Sequence, residues 1–481
     1  MMKYYLGEKT FQRGLTNYLR ERSYAVAFHD DLWEALSAQA TLDGNNIDVK
    51  SVMDTWILQM GFPVVTVTRD GNSLQLHQQH FLTDPSQTPD PKYPSPYSYK
   101  WQIPFTVTAS DQIGEGQNVT LIKEVTERVN FSSTGTWILA NIEQQGYFRV
   151  NYDTANWDAL KQQLMNNHTI LHEINRAQLI DDAFNLGRAE ILNQTVGLEM
   201  TEYLGNEQEY VPWRAASTNF DYLDRMLSQS AVYGKYQQYL QNLILPLYNY
   251  TGWEKTDDTH LMKYLRGIVL GLACRTGYKP CVQEAVKRYA NWMADPMTNS
   301  VDPNLKSLVY CTGIKEGGTK EWDFAYERMK VENVAAEADR LRNAMACSNI
   351  PWILNRYLTY TLNPDLIRKA DATTAIVYIS RNVLGKSLAW DFVRDNWDYI
   401  QAEYGSGIFA FARLISGITE SFNIVYQLQQ LEQFMEDNPD QGTGARAFQQ
   451  AVETTKSNIR WMQRNVDTLS AWLDTKVTDT S

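Results

Sequence analysis

The 481-residue chain has no His-Glu-x-x-His helix, no Gly-x-Ser-x-Gly turn and no Gly-rich phosphate loop. Those absences exclude a zincin-type metal site, a hydrolase nucleophile elbow and a P-loop among its residues. Only six histidines occur, and no Lys/Arg run is present. A formal net charge of -12 disfavours nucleic-acid and anionic-membrane surfaces, which reward basic stripes. The longest apolar stretch, around Arg266 to Cys274, is about half of the ~20 residues needed to span a bilayer. The opening Met-Met-Lys-Tyr-Tyr-Leu-Gly-Glu lacks the apolar region and cleavage site of a signal peptide. No targeting signal or membrane anchor is therefore visible, and an upstream segment is expected.

What is present is enough for more than one core: 43% hydrophobic and 12% aromatic residues over this length predict a multidomain globular protein. Four cysteines are few but well placed, Cys274 and Cys281 close together, Cys311 and Cys347 further apart in a helical region. They read either as two bridges of an oxidising compartment or as four free thiols. Five sequons, at Asn118, Asn130, Asn167, Asn193 and Asn249, would accept glycans in a secretory pathway and favour the extracellular side.

Along the chain the apolar period changes twice. Phe11, Leu15, Tyr18 and Leu19, then Leu32, Trp33 and Leu36, predict helices. His29-Asp30-Asp31 reads as a helix start with carboxylates at the cap and first turn rather than a catalytic His-Asp pair. After Gly61-Phe62-Pro63, Val65 and Val67 alternate with threonines, and Asp70-Gly71 turns toward Leu74 and Leu76, a hairpin pattern. A Pro-rich loop and further short strands at Phe105 and Trp137 predict a small β-sandwich. From Trp157 onward the stripes are helical, such as Leu179-Ile180, Ala183-Phe184 and Leu186, or Leu261, Tyr264-Leu265 and Ile268. Short polar breaks between them suggest antiparallel pairs stacked as a solenoid.

No metal site assembles from local patterns. His168 and His172 have the i, i+4 spacing of a zinc helix, but Thr169 stands where the general-base glutamate belongs. His77 and His80 fall on opposite faces of a strand. No catalytic or metal-ligating residue is assigned.

Longer segments carry a resemblance. Leu6-Gly-Glu-Lys-Thr-Phe-Gln-Arg-Gly-Leu15 and Asp54-Thr-Trp-Ile-Leu-Gln-Met-Gly-Phe-Pro-Val64 resemble the close of the thermolysin-like catalytic domain of M1 zinc aminopeptidases. Gly146-Tyr-Phe-Arg-Val-Asn-Tyr152 and Asn175-Arg-Ala-Gln-Leu-Ile-Asp-Asp-Ala-Phe184 are similar to that family's sandwich exit and first C-terminal helices. Ala389 to Trp397 and Tyr426 to Phe434 resemble its aminopeptidase N-like branch.

The resemblance implies a mainly α fold in three parts: an incomplete helical remnant of the catalytic domain (1–62), a β-sandwich (63–153) and a HEAT-like α-helical superhelix (154–481). It implies removal of N-terminal residues from peptides by a complete zinc enzyme, with this chain alone inactive and holding no zinc. The helical domain would roof the active site and control peptide access, with Phe409 and Arg413 touching peptide side chains. It also implies disulfides Cys274–Cys281 and Cys311–Cys347, a plasma-membrane or secreted location and a possible homodimer. Phe11, Leu15 and Trp33 would face absent catalytic-domain helices and leave an apolar face open. The alternative is a non-catalytic cell-surface module that binds peptides or proteins.

Overall fold

Four helices open the chain, at Met2–Leu6, Glu8–Glu21, His29–Leu42 and Val49–Ile57. The computed structural model describes residues 1–89, 91–114, 119–254, 259–407 and 409–477. By packing the chain divides into two units, Met1–Tyr203 and Leu204–Ser481.

In the first unit, Leu6, Trp33, Leu36, Ala40, Val49 and Met53 form a small core, with Phe11, Leu32 and Trp56 packed at its margin. Gly14 permits the close approach of two helices, since a Cβ there would lie 2.9 Å from Leu36 Cδ2. The expected carboxylates do start the third helix. Asp31 accepts the Phe28 N–H at 2.8 Å, and Phe28, not an aspartate, is the cap residue.

Two expectations need correction here. Trp33 is only 8% exposed and belongs to the local core, whereas Leu19, at the end of the predicted stripe, is 61% exposed. Periodicity identified the helix, but the buried side of Glu8–Glu21 runs through Thr10 and Gly14.

Eight strands follow: β1 (Pro63–Asp70), β2 (Ser73–His80), β3 (Ile103–Phe105), β4 (Val107–Ala109), β5 (Thr120–Ile122), β6 (Thr126–Asn130), β7 (Ile138–Ala140) and β8 (Arg149–Tyr152). β1 and β2 form the expected hairpin, Asp70 opposite Ser73, with Gly71 at φ 58° in the turn. One sheet has the order β6-β2-β1-β8, with β1 and β8 parallel, and β3–β5 and β4–β7 are separate antiparallel pairs. The buried Gln78 amide ties the core loops together. It donates to Trp101 O and Glu124 O and accepts the Trp101 N–H. The helices Thr154–Asn167, Glu173–Arg188 and Gln194–Glu199 complete this unit.

The second unit is helical, and no strand is assigned among its described residues. Its first six helices are Tyr210–Leu227, Tyr233–Thr251, His260–Arg275, Lys279–Ala294, Lys306–Glu316 and Thr319–Val331. Eight more run from Ala335–Met345 to Ala445–Asp474. Tyrosine hydroxyls pin neighbouring helices by donating to backbone carbonyls: Tyr236 to Phe220, Tyr289 to Glu321 and Tyr357 to Arg342. Each large ring is thereby buried with its polar tip satisfied. The predicted stripe on His260–Arg275 is rotated. Leu261 and Tyr264 are exposed, and Leu265, Val269 and Leu272 face inward.

An open solenoid touches only its neighbours, but here the last helix returns to the first two of the unit. Trp461 meets Tyr222 and Trp472 meets Tyr239, both edge to face, with centroids 5.4 and 5.2 Å apart. Asn423 also donates to Met226 O at 2.9 Å. Two disulfides staple the array, Cys274–Cys281 across one interhelical turn and Cys311–Cys347 across a longer loop, with Cα separations of 5.3 and 5.4 Å. Among the described residues no helix is long and apolar enough to cross a membrane.

Candidate functional site

The segment Gly405 to Arg413 enters the helix Ala410–Thr419, whose Phe411, Leu414, Ile415 and Ile418 turn inward. Phe409 and Arg413 lie one turn apart on the opposite side, and the Arg413 N–H donates to Phe409 O at 3.0 Å. Phe409 is 69% exposed and Arg413 is exposed. No ion-pair partner is present for Arg413 among the described residues. The approach to this helix is fastened from behind. Thr443 Oγ1 lies 2.8 Å from Gly405 O and 3.0 Å from Gly407 O, and either carbonyl can take its proton. An aromatic face beside an unpaired guanidinium, on a held helix end, can stack on an apolar side chain and pair with a carboxylate.

The histidine pairs do not converge. His168 packs its ring against Tyr203, while His172 Nδ1 accepts the Ile174 N–H at 3.3 Å as a helix cap. His77 pairs with Thr126, and His80 stacks on Tyr99 at 4.4 Å. Among the described residues the one cluster with metal-compatible geometry is His29, Asp30 and Asp54. A cation already stands in it. Lys50 Nζ is 2.7 Å from Asp30 and 2.8 Å from Asp54, and these two carboxylates hold its pKa above the ordinary lysine value. The hydrogen bond from Lys50 in turn lowers Asp30. A metal would have to displace that ammonium, so this donor set does not fit zinc.

Two of the segments that carry the resemblance, residues 146–152 and 175–184, meet in space, which no local pattern showed. Arg149 Nη1 lies 2.7 Å from Asp181 and 2.8 Å from Asp182, and its guanidinium sits 5.0 Å over the Phe81 ring. Asp182 also accepts the Val150 N–H. Burial pushes Asp182 up to about 6, against the opposing pull of Arg149. Nearby, Asn175 accepts the Glu143 N–H at 2.8 Å and donates to Gln178, holding a turn in which Asn141, Glu143 and Gln144 all have positive φ. A cavity of about 180 Å³ beside this turn is lined by Trp137, Leu139, Ile142, Glu143, His172 and Asn175. The Asn175 side chain and His172 Nδ1 are spent on local structure.

Four sequon asparagines, Asn130, Asn167, Asn193 and Asn249, are exposed. Asn118 lies outside the described residues.

Residues 137–457 match the family profile of the ERAP1-like C-terminal domain, and residues 1–56 match the peptidase family M1 domain. The chain is 42% identical to aminopeptidase N of Rattus norvegicus, across 98% of this chain and 49% of that protein. It is 41% identical to aminopeptidase Ey of Gallus gallus, across 98% and 49%. Against the human thyrotropin-releasing hormone-degrading ectoenzyme the identity is 36%, across 98% and 45%. The chain thus spans about half the length of these curated relatives.

Proposed function

The chain belongs to peptidase family M1, with an ERAP1-like C-terminal domain over residues 137–457, and from that premise we propose that it is the C-terminal portion of an aminopeptidase N-like zinc metalloaminopeptidase. Such an enzyme removes N-terminal residues from peptides. Residues 1–62 would complete a catalytic domain, 63–153 form the sandwich, and 154–481 roof the active site and control peptide access. The zinc would be held by residues outside this chain.

The observation that carries the reading is where apolar surface is left in water. The segment that matches the M1 domain exposes Leu19, Tyr24, Val26, Phe28 and Leu42. Five large apolar side chains left in water within one short segment are what a surface covered by another part of the protein would show. Phe409 and Arg413 are the proposed contacts to a peptide side chain, supported by their shared exposed face and fastened helix. The exposed sequons support a glycosylated extracellular location.

Two measurements test the reading. The purified chain, supplied with zinc, is expected to bind no stoichiometric metal and to leave an alanyl-anilide intact, and turnover would overturn it. In the complete enzyme, Phe409→Ala with Arg413→Ala is expected to shift the ratio of kcat/KM between peptides by roughly tenfold. Unchanged selectivity would remove both residues from the cleft.

A further inference from the structure

The end of helix Thr319–Val331, the face of Ala335–Met345 and the loop into Lys369–Ser380 border a cavity of about 230 Å³ that the reading above leaves unused. It is smaller than the ~300 Å³ at which sites for drug-sized ligands begin, yet it has the volume of roughly seven waters. Six charged residues line it, Lys330, Arg342 and Arg368 against Glu332, Asp365 and Asp371. The two signs cancel, so an occupant without net charge keeps the balance.

Donors and acceptors within it are not matched in the same way. Arg342 is only 7% exposed. Its Nη1 reaches Asp371 at 3.0 Å and its Nη2 reaches Asp339, outside the lining, at 3.2 Å, but its buried Nε–H has no acceptor among the described residues. Arg368 directs Nε and Nη2 to the same Asp371 Oδ2, both at 2.9 Å. Two guanidiniums thus converge on one carboxylate oxygen, and each carries five N–H donors. The acceptors are the reverse. Glu332 accepts the Val334 N–H at 2.8 Å and meets no cation, and the Asp365 carboxylate has no bond among the described residues. The loop that carries Asp365 is fixed: Asn363 O accepts the Leu366 and Ile367 N–H groups at 3.0 Å, and the Tyr326 hydroxyl donates to Leu366 O at 3.2 Å. Met329, Ala338 and Ile367 supply apolar wall.

We propose that this cavity is a binding site for a free α-amino acid with an apolar side chain, taken as its zwitterion. The carboxylate accepts from the unmet guanidinium donors of Arg342 and Arg368, the ammonium donates to Asp365 and Glu332, and the side chain lies against Met329 and Ala338. Charge-assisted bonds form at both ends, and the sum of charges in the cavity is unchanged. A free amino acid is the product class of the proposed enzyme, but the inference does not rest on that reading. Every residue it uses lies in the helical unit, and its test reads binding rather than turnover.

The test is equilibrium dialysis of the full chain against radiolabelled L-leucine, with leucinamide and N-acetyl-leucine as competitors that each lack one of the two charges. Leucine is expected to bind saturably, and each competitor about tenfold more weakly, the worth of one charge-assisted bond. Arg368→Gln and Asp365→Asn, both at exposed positions, are each expected to weaken leucine by about the same factor. A diazirine analogue of leucine is expected to cross-link within residues 329–342 or 364–371, the segments that line the cavity. The proposal is overturned by the absence of saturable binding at tens of millimolar leucine, by competitors that bind as tightly as leucine, or by cross-links confined to other segments. Unchanged affinity in both variants overturns it as well. The cross-link map needs no variant, so it decides the location even where a substitution disturbs the fold.

Discussion

The first four helices and the helical array obey the same packing rules with different degrees of closure. In the array, stapled by two disulfides, large rings are buried with their hydroxyls bonded across helices. The opening helices share a small core around Trp33 and Leu36 and leave Leu19, Val26, Phe28 and Leu42 in water. Stability in one region is internal, while the other presents surface that costs free energy until something covers it.

The comparison breaks most easily at Arg149. Arg149→Met removes the cation 2.8 Å from the buried Asp182 carboxylate and is expected to cost the first unit about 3–5 kcal/mol. Denaturant titration should show its transition fall while that of the second unit holds. Next, Cys311→Ser with Cys347→Ser should cost the second unit roughly 4 kcal/mol, and the Cys274 and Cys281 pair roughly 2.5 kcal/mol, from loop entropy. An equal loss in both units would show that they do not melt separately.

Asp182 sharpens the comparison through pH. Its folded pKa of about 6 exceeds the ordinary carboxylate value of 3.8, so between these values the folded state holds a proton that the unfolded state has released. Stability of the first unit should therefore fall as pH rises from about 4 to about 6, by up to about 1.4 kcal/mol per unit, and level off above. Asp182→Asn should remove that slope. The smallest effect is expected on the exposed face. Leu19→Glu with Val26→Lys should change stability by less than about 0.5 kcal/mol yet reduce self-association of the chain in sedimentation.

Much of the architecture was legible because it depends on local chemistry. The hairpin at Asp70-Gly71, the carboxylates opening His29–Leu42 and the change of period near Asp153 each need only neighbours in sequence. The rotated stripe on His260–Arg275 was not, because Leu261 and Tyr264 are as apolar as the residues that do face inward. The half-wetted helix Glu8–Glu21 shows the same limit, since periodicity specifies a helix and not what covers it. Phe409 and Arg413 were singled out by resemblance, and the structure adds their shared exposed face and the Thr443 tether. The Lys50 cation between Asp30 and Asp54 was partly readable, since Lys50 and Asp54 are one helical turn apart.

The return of helix Ala445–Asp474 to Tyr222 and Tyr239 changes how the second unit can come apart. A stack frays from its ends, where each terminal repeat has one neighbour fewer. A hoop has no such ends, so its opening must begin by parting a seam, and the seam here is aromatic rings joining residues more than two hundred positions apart along the chain. Tension on either end of this unit would be shared around the whole circuit before any single helix lets go.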